Sequence, residues 1–235
     1  MSLDQSACDI ILQGEIVSCQ LTPVGSNYTF MVQIQLGEQT SLGIYKPRDG
    51  ESPLWDFPSG TLYKREFAAY LLSQHLGWDF IPYTTIRAGP YGIGTVQLFV
   101  EHDPKQNYYS LTEANADQLK TIACFDLVAN STDRKPNHLL LDDEGKLWSI
   151  DHGLTFHAET KIRTVIWDFC GQRIPKRLLK RLSALYQELE TPQGLLKEIQ
   201  ETIAADEMDA LRRRVRWVLS EGVYPGLPGG YRRRG

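Results

Sequence analysis

Between residues 121 and 156 the chain reads TIACFDLVANSTDRKPNHLLLDDEGKLWSIDHGLTF, and this stretch limits the folds open to it. Helical spacing runs to Asn130, and a polar loop then holds Asp133 and Arg134. Two short apolar runs follow, split by Asp142-Asp143-Glu144-Gly145, a turn composition that makes them a hairpin. The second run ends on Asp151-His152-Gly153. Two aspartates thus stand at the two ends of one hairpin, a layout suited to a divalent cation and the phosphates it binds.

A chain of 235 residues is long enough to bury a core around such a site, as one domain or two small lobes. A formal net charge of −4 gives no argument for nucleic acid as partner. No run of eighteen apolar residues occurs, so no transmembrane helix is expected, and the first residues lack a signal-peptide pattern. Cys8, Cys19, Cys124 and Cys170 are scattered without a CxxC pair. That spacing argues against a zinc site or a disulfide frame, and the expected location is the cytoplasm.

The first hundred residues are expected to be β-rich. Residues 10–20, 28–36 and 41–45 read as a three-stranded meander, with Phe30, Val32, Ile34 and Leu36 alternating on one face. The turn Gly25-Ser26-Asn27 offers backbone amides to a phosphate, or is a plain hairpin tip. Lys46 ends the third strand, either as a solvated charge or as half of a pair. Residues 47–60 are Pro/Gly-rich and are expected to be non-helical, with Trp55 and Phe57 packing this loop onto the sheet. A helix is predicted over 61–76, capped by Ser59 or Thr61 and ended by Gly77. It carries Glu66, a surface charge or the partner of Lys46. Strands over 81–87 and 93–101 complete a first lobe, residues 1–102.

Residues 102–109 read as a linker to a second, mainly helical lobe, residues 103–235. The spacing predicts a helix over 111–130, with Asp126 placed to bond the loop beyond its end. Further helices are expected over 161–170, 175–189, 193–205 and 207–220. In the last of these, Arg212, Arg213, Arg214 and Arg216 read as a solvated face or as a contact for an acidic surface or anionic lipid headgroup. The tail from residue 224 is Pro/Gly-rich and reads as mobile.

The order of these parts matters more than any one of them. A small-residue loop, a third-strand Lys46, a helix Glu66, a loop Asp133 and, eighteen residues on, Asp151-His152-Gly153 match the phosphoryl-transfer template part by part. The chain resembles the protein-kinase-like superfamily. Within it, the chain is most similar to the phosphatidylinositol 3-/4-kinase-like branch and to a bacterial family grouped with those kinases. The residues that carry this resemblance are Val24-Gly25-Ser26-Asn27, Ile44-Tyr45-Lys46-Pro47, GESPLWDFP over 50–58, REFAAY over 65–70, Gly89-Pro90-Tyr91-Gly92, Asp133-Arg134-Lys135, Asp151-His152-Gly153 and KIRTVIW over 161–167.

The resemblance implies an α+β fold of two lobes, an antiparallel sheet with one helix and a reduced helical lobe. It implies an ATP- and magnesium- or manganese-dependent phosphotransferase acting on a hydroxyl of a lipid headgroup, small molecule or protein. Asp133 would be the catalytic-loop aspartate, with Arg134 beside it. Lys46, steadied by Glu66, would contact the α/β-phosphates, and Gly25, Ser26 and Asn27 would cover them. Gln97, Leu98, Phe99 and Val100 would meet the adenine edge, and Asp151 would bind the metal.

Two departures stand out. The template has a metal-binding Asn five residues after the catalytic Asp, where this chain has His138, with Asn137 one position earlier. A one-residue shift in a loop brings either side chain to the metal. The bacterial family also has His at that place, which favours His138, although imidazole suits manganese or zinc better than magnesium. The segment after Asp151 is short and lacks an Ala-Pro-Glu signature, so no protein-kinase substrate platform is expected. His138 and the reduced second lobe keep a nucleotide-binding pseudokinase as an alternative, and an AMP-transferring enzyme is another, since a kinase-like fold can hold ATP reversed.

Overall fold

The computed structural model describes residues 5–23 and 25–226. Val24, the first four residues of the signal-peptide reading, and residues 227–235 of the tail lie outside them. The chain opens with helix α1 (Gln5–Gln13), followed by strands β1 (Glu15–Leu21), β2 (Phe30–Leu36) and β3 (Gln39–Pro47). Helix α2 (Leu62–Leu76) leads to β4 (Thr84–Gly89) and β5 (Gly92–Leu98). These strands form one antiparallel sheet in the order β1-β2-β3-β5-β4. Helix α3 (Ala116–Ala129) and the hairpin β6 (Leu139–Leu141)–β7 (Leu147–Ser149) come next, then α4 (Lys176–Glu188), α5 (Leu195–Thr202) and α6 (Ala205–Glu221).

Residues 10–13, expected as strand, are helical. Ile10 and Ile11 are buried on α1 against the sheet, and a pair of adjacent isoleucines fits a helix face as well as a strand. Gly14 makes the turn, because a side chain there would meet Ile10 O and Ile34 Cγ2 at 2.7 Å. The helix expected from residue 111 becomes regular only at Ala116, after 3₁₀ turns at Tyr108–Ser110 and Glu113–Asn115. Residues 161–170, expected as a helix, form none. Their backbone bonds the loop after α3 instead, with Arg163 N to Ser131 O at 2.9 Å and Arg134 N to Arg163 O at 3.0 Å.

β3 shows how alternation places the site. Gly43, Tyr45 and Pro47 are buried while Ile44 and Lys46 face the opposite side. Tyr45 fills the sheet's own core with Val32, Ile34 and Val96. Across the ladder Lys46 pairs with Thr95, and Pro47 with Gly94. A side chain at Gly94 would collide with the Lys46 carbonyl and lie 2.6 Å from Pro47 Cα, so only glycine lets the strands close beside Lys46.

Helix α2 belongs energetically to the helical half. Its Ala68, Ala69, Leu71, Leu72 and Leu76 share one core with α3, α4, α5 and α6. The expected Ser59 or Thr61 cap is absent. Thr61 Oγ1 donates to Pro58 O, and the carboxylate of Glu51 accepts the amides of Leu62 and Tyr63 at 3.0 and 2.8 Å. An acid reaching in from a distant loop serves the same orphan donors and also suits the helix dipole. Phe57 of that loop is buried, while Trp55 is 92% exposed and does not pack onto the sheet.

One buried ion pair ties α2 to the end of the chain. Arg65 and Glu207 of α6 meet at 2.5 Å, both nearly inaccessible, and Arg65 also donates to Thr155 O and lies over the Phe57 ring. Arg214, read as part of a solvated face, is buried as well and donates to Val128 O and His157 O. Arg213 and Arg216 are exposed. Removing one partner of a buried pair strands the other charge, so Glu207→Ala is expected to cost about 3–5 kcal/mol. The apolar double replacement Arg65→Met/Glu207→Leu should recover most of that loss in chemical denaturation.

Candidate active site

The site lies in a cleft of about 370 Å³ between the sheet and the β6–β7 hairpin, a volume within the range of small-molecule sites. Lys46, Glu66, Asp133, Asn137, His138 and Asp151 all line it, although they come from separate stretches of the chain.

Lys46 is the hub. Its Nζ sits 3.0 Å from Glu66 Oε2 and 3.0 Å from Asp151 Oδ1. Burial acts to lower its pKa, but the two carboxylates outweigh that and raise it, so the ammonium is charged at any physiological pH. Glu66 is buried, and its second oxygen accepts the His152 amide at 3.0 Å. One glutamate therefore fixes both the lysine and the Asp-His-Gly turn.

Asp151 adopts a left-handed backbone, φ 62°, which costs a non-glycine residue energy and is held by its surroundings. Its carboxyl is held below the usual range, first by Lys46, against desolvation, and with help from His138. His138 Nε2 lies 3.3 Å from Asp151 Oδ2. Burial foremost pushes the His138 pKa down to about 4, so the ring is neutral near pH 7. Its Nδ1 accepts from the Lys135 amide at 3.4 Å, which leaves the proton on Nε2, aimed at Asp151. In this arrangement His138 orients the aspartate.

The loop that carries Asp133 is built on buried polar groups. Asp126 is fully buried and pairs with Arg134 at 2.8 Å, and it also accepts from Ser131 Oγ and Thr164 Oγ1. Arg134 goes on to Ile150 O at 3.0 Å and to His152 Nε2 at 3.0 Å. Arg134 thus turns away from the cleft and holds the loop, the hairpin and the Asp-His-Gly turn together. Asp133 faces the cleft with its side chain 18% exposed. One oxygen meets Arg163 Nη2 at 2.6 Å and the other Lys135 Nζ at 2.7 Å.

Gly25, Ser26 and Asn27 also line the cleft. They are tied down by Asn27 Oδ1, which accepts from Ser52 N at 2.7 Å, and by Ser26 O, which accepts from Ser52 Oγ at 2.5 Å. Gly25 sits at φ 97°, a conformation that glycine supplies. Gln97, Leu98, Phe99 and Val100 line the far wall. β5 ends at Leu98 rather than at the expected residue 101, yet Phe99 N still reaches Leu42 O at 3.0 Å. Sequence reasoning missed Glu51, Lys135 and Arg163. The signal for the last two was present in Asp133-Arg134-Lys135 and in the 161–167 run, but with no indication of what they touch.

The sequence profile described as "Phosphatidylinositol 3- and 4-kinase" matches residues 60–217. The protein Rv2133c of Mycobacterium tuberculosis is 36% identical over 267 aligned residues, covering 99% of this chain and 95% of the relative. Among solved structures, the Golgi casein kinase superposes with a TM-score of 0.57 at 17% identity over 93% of this chain and 76% of the kinase. The same enzyme with Mn/ADP bound superposes with a TM-score of 0.57 at 16% identity over the same shares. These structural likenesses show a protein-kinase-like fold, α+β, with a sheet half and a helical half. With more than half of its residues matched, the chain belongs to the phosphatidylinositol 3- and 4-kinase family.

Proposed function

We propose that this chain is a phosphotransferase that moves the γ-phosphoryl group of ATP onto a hydroxyl acceptor, with a divalent metal ion. The observation that carries the reading is Lys46 held between Glu66 and Asp151 in the cleft that Asp133 also faces. A family of kinases and a fold neighbour solved with Mn/ADP support it. The finer assignments belong to the same proposal. They are magnesium or manganese as the ion, a lipid headgroup, small molecule or protein as acceptor, a bacterial and cytoplasmic setting, and lobes divided near residue 102. No helix among the described residues is long and apolar enough to cross a membrane.

The residues present fit a hard cation. Among the described residues no three His, Cys, Asp or Glu side chains converge to hold a metal alone. Asp151 and Asn137 offer oxygens at the cleft, and nucleotide phosphates and water would complete the shell, as magnesium prefers. The ion, when bound, neutralises charge on the phosphates. Lys46 binds and orients the α/β-phosphates, and Gly25, Ser26 and Asn27 close over them and exclude water. The strand end at 97–100 receives the base. Asp133 takes the proton of the acceptor hydroxyl as that oxygen bonds to the γ-phosphorus. The bond from the γ-phosphorus to its bridging oxygen breaks, and ADP leaves with that electron pair. Catalysis in this class is mainly positioning and electrostatics.

Asp133→Ala is expected to lower transfer of γ-label by about 10²–10⁴-fold while ATP affinity, read by titration calorimetry, stays within a few-fold of the parent. Full turnover in that variant would remove Asp133 as the base. Chelation with EDTA should abolish turnover and added magnesium or manganese should restore it; turnover that survives chelation contradicts the metal requirement. Label that moves from α-labelled rather than γ-labelled ATP would make the enzyme a nucleotidyl transferase.

A further inference from the structure

The turn that carries Gly25, Ser26 and Asn27 leaves its own sheet early. The β1–β2 ladder ends at Leu21 and Phe30, with one further bond from Thr22 N to Thr29 O at 2.8 Å. Beyond it, the bonds that hold the turn run to another part of the chain. Ser52 donates through its amide to Asn27 Oδ1 and through its hydroxyl to Ser26 O. Tyr28 N donates to Gly50 O at 2.9 Å. Gly50 permits this closeness, because a side chain there would meet Tyr28 Cβ at 2.8 Å. The placement of the turn therefore follows the placement of residues 50–52.

Those residues are fastened in turn by a side chain of their own. Glu51 stands between Gly50 and Ser52, and its two carboxylate oxygens accept the Leu62 and Tyr63 amides. First-turn amides have no acceptor inside their own helix, so a carboxylate there is well held. One turn further along α2, Glu66 holds Lys46. The turn and the lysine are thus both referred to one helix. Glu51 also lines the cleft, where an uncompensated carboxylate would repel the phosphates of ATP. An amide on each oxygen, at the positive end of a helix, offsets that charge. Capping alone could be done from Thr61, the residue at the cap position. Glu51 caps from eleven residues away and brings the turn with it.

We propose that Glu51 is a positioning residue for the nucleotide: it ties the turn that covers the phosphates to α2 and so sets how tightly the cleft holds ATP. The inference rests on the phosphotransferase reading and adds to it a residue that acts through the turn. Such a tie serves the bound nucleotide in ground state and transition state alike. Its loss therefore raises KM for ATP and leaves kcat nearly unchanged.

The test follows magnesium–ATP consumption by the full-length protein without added acceptor, ATP affinity by titration calorimetry, and thermal unfolding. The proteins compared are the parent, Glu51→Ala, Glu51→Gln and the double variant Glu51→Ala/Thr61→Asp. Glu51→Ala is expected to raise KM and Kd for ATP about tenfold and to change kcat by less than about threefold. Its unfolding midpoint should fall by a few degrees, because α2 loses its cap. Glu51→Gln, which keeps one acceptor oxygen, should recover part of the affinity. The double variant caps α2 from its own cap position, so it should regain the midpoint but not the affinity. It carries the comparison if Glu51→Ala does not fold. Recovery of midpoint and affinity together in the double variant makes Glu51 a helix cap alone and overturns the proposal. Unchanged or tighter ATP binding in Glu51→Ala overturns it too, as does a fall in kcat at constant KM. A parent that neither binds nor consumes ATP removes the phosphotransferase reading itself, whereas a parent that turns over beside a Glu51→Ala variant of equal affinity removes this inference alone.

Discussion

The interaction on which the rest depends is the ammonium of Lys46 between the carboxylates of Glu66 and Asp151. Three charged groups from a strand, a helix and a turn meet within 3.0 Å contacts at the edge of an open cleft. The arrangement lasts only if each backbone is held independently, because the attraction among partly buried charges is offset by the cost of taking them out of water. Lys46 is held by its ladder with β5, where Gly94 permits the close approach. Asp151 is held in a left-handed conformation by the Glu66 bond to the next amide and by the Arg134 bond to His152. Glu66 is held by everything that holds α2.

α2 is therefore the element whose placement matters most, and its anchors are not in the sheet. Its core face packs with the C-terminal helices, Arg65 is locked to Glu207, and Glu51 caps its first turn. At its other end His75 meets Glu188 at 2.6 Å, and its carbonyl accepts from Arg181. A helix fixed at both ends and along one face carries Glu66 as part of the helical half. The lysine–glutamate pair then joins the two halves of the molecule, rather than serving as an adjustable contact inside one of them.

The legible parts of this design were those with short sequence range or strict order. A third strand over 41–45 delivered Lys46 at its end, the 3.6-residue period placed Glu66 on a helix, and the Asp-Asp-Glu-Gly turn set the hairpin between Asp133 and Asp151. Asp126, on the buried stripe of α3, was readable as a bond to its own loop for the same reason. The illegible parts were long-range or locally ambiguous. Glu51 caps a helix from a loop, Arg65 finds Glu207 across most of the chain, and Arg214 looks like one more arginine on a charged face until its buried partners are seen. Residues 161–170 have helical composition, but their amides and carbonyls are used by Asn130, Ser131 and Arg134. Tertiary hydrogen bonding thus overrides propensity there.

At His152 a polar residue stands where an Asp-x-Gly turn of this kind usually has an apolar one, and the substitution changes how the turn is held. The ring is buried, with Nε2 on Arg134 and Ser149 and a T-shaped contact with the Phe125 ring. Its Nδ1 has no partner among the described residues. Burial first, and Arg134 next, drive its pKa well down, so the ring stays neutral and Nε2 can accept the guanidinium proton. Rotating this turn out would break the Arg134 and Glu66 bonds together and leave Arg134 and Glu66 each one partner short in a low-dielectric interior, which is costly. An apolar residue in the same place would make neither side-chain bond. The polar turn therefore links the Asp133 loop to the Asp151 turn through Arg134. With α2 fixed on the other side, adjustment is left to the exposed side chains at the rim of the cleft.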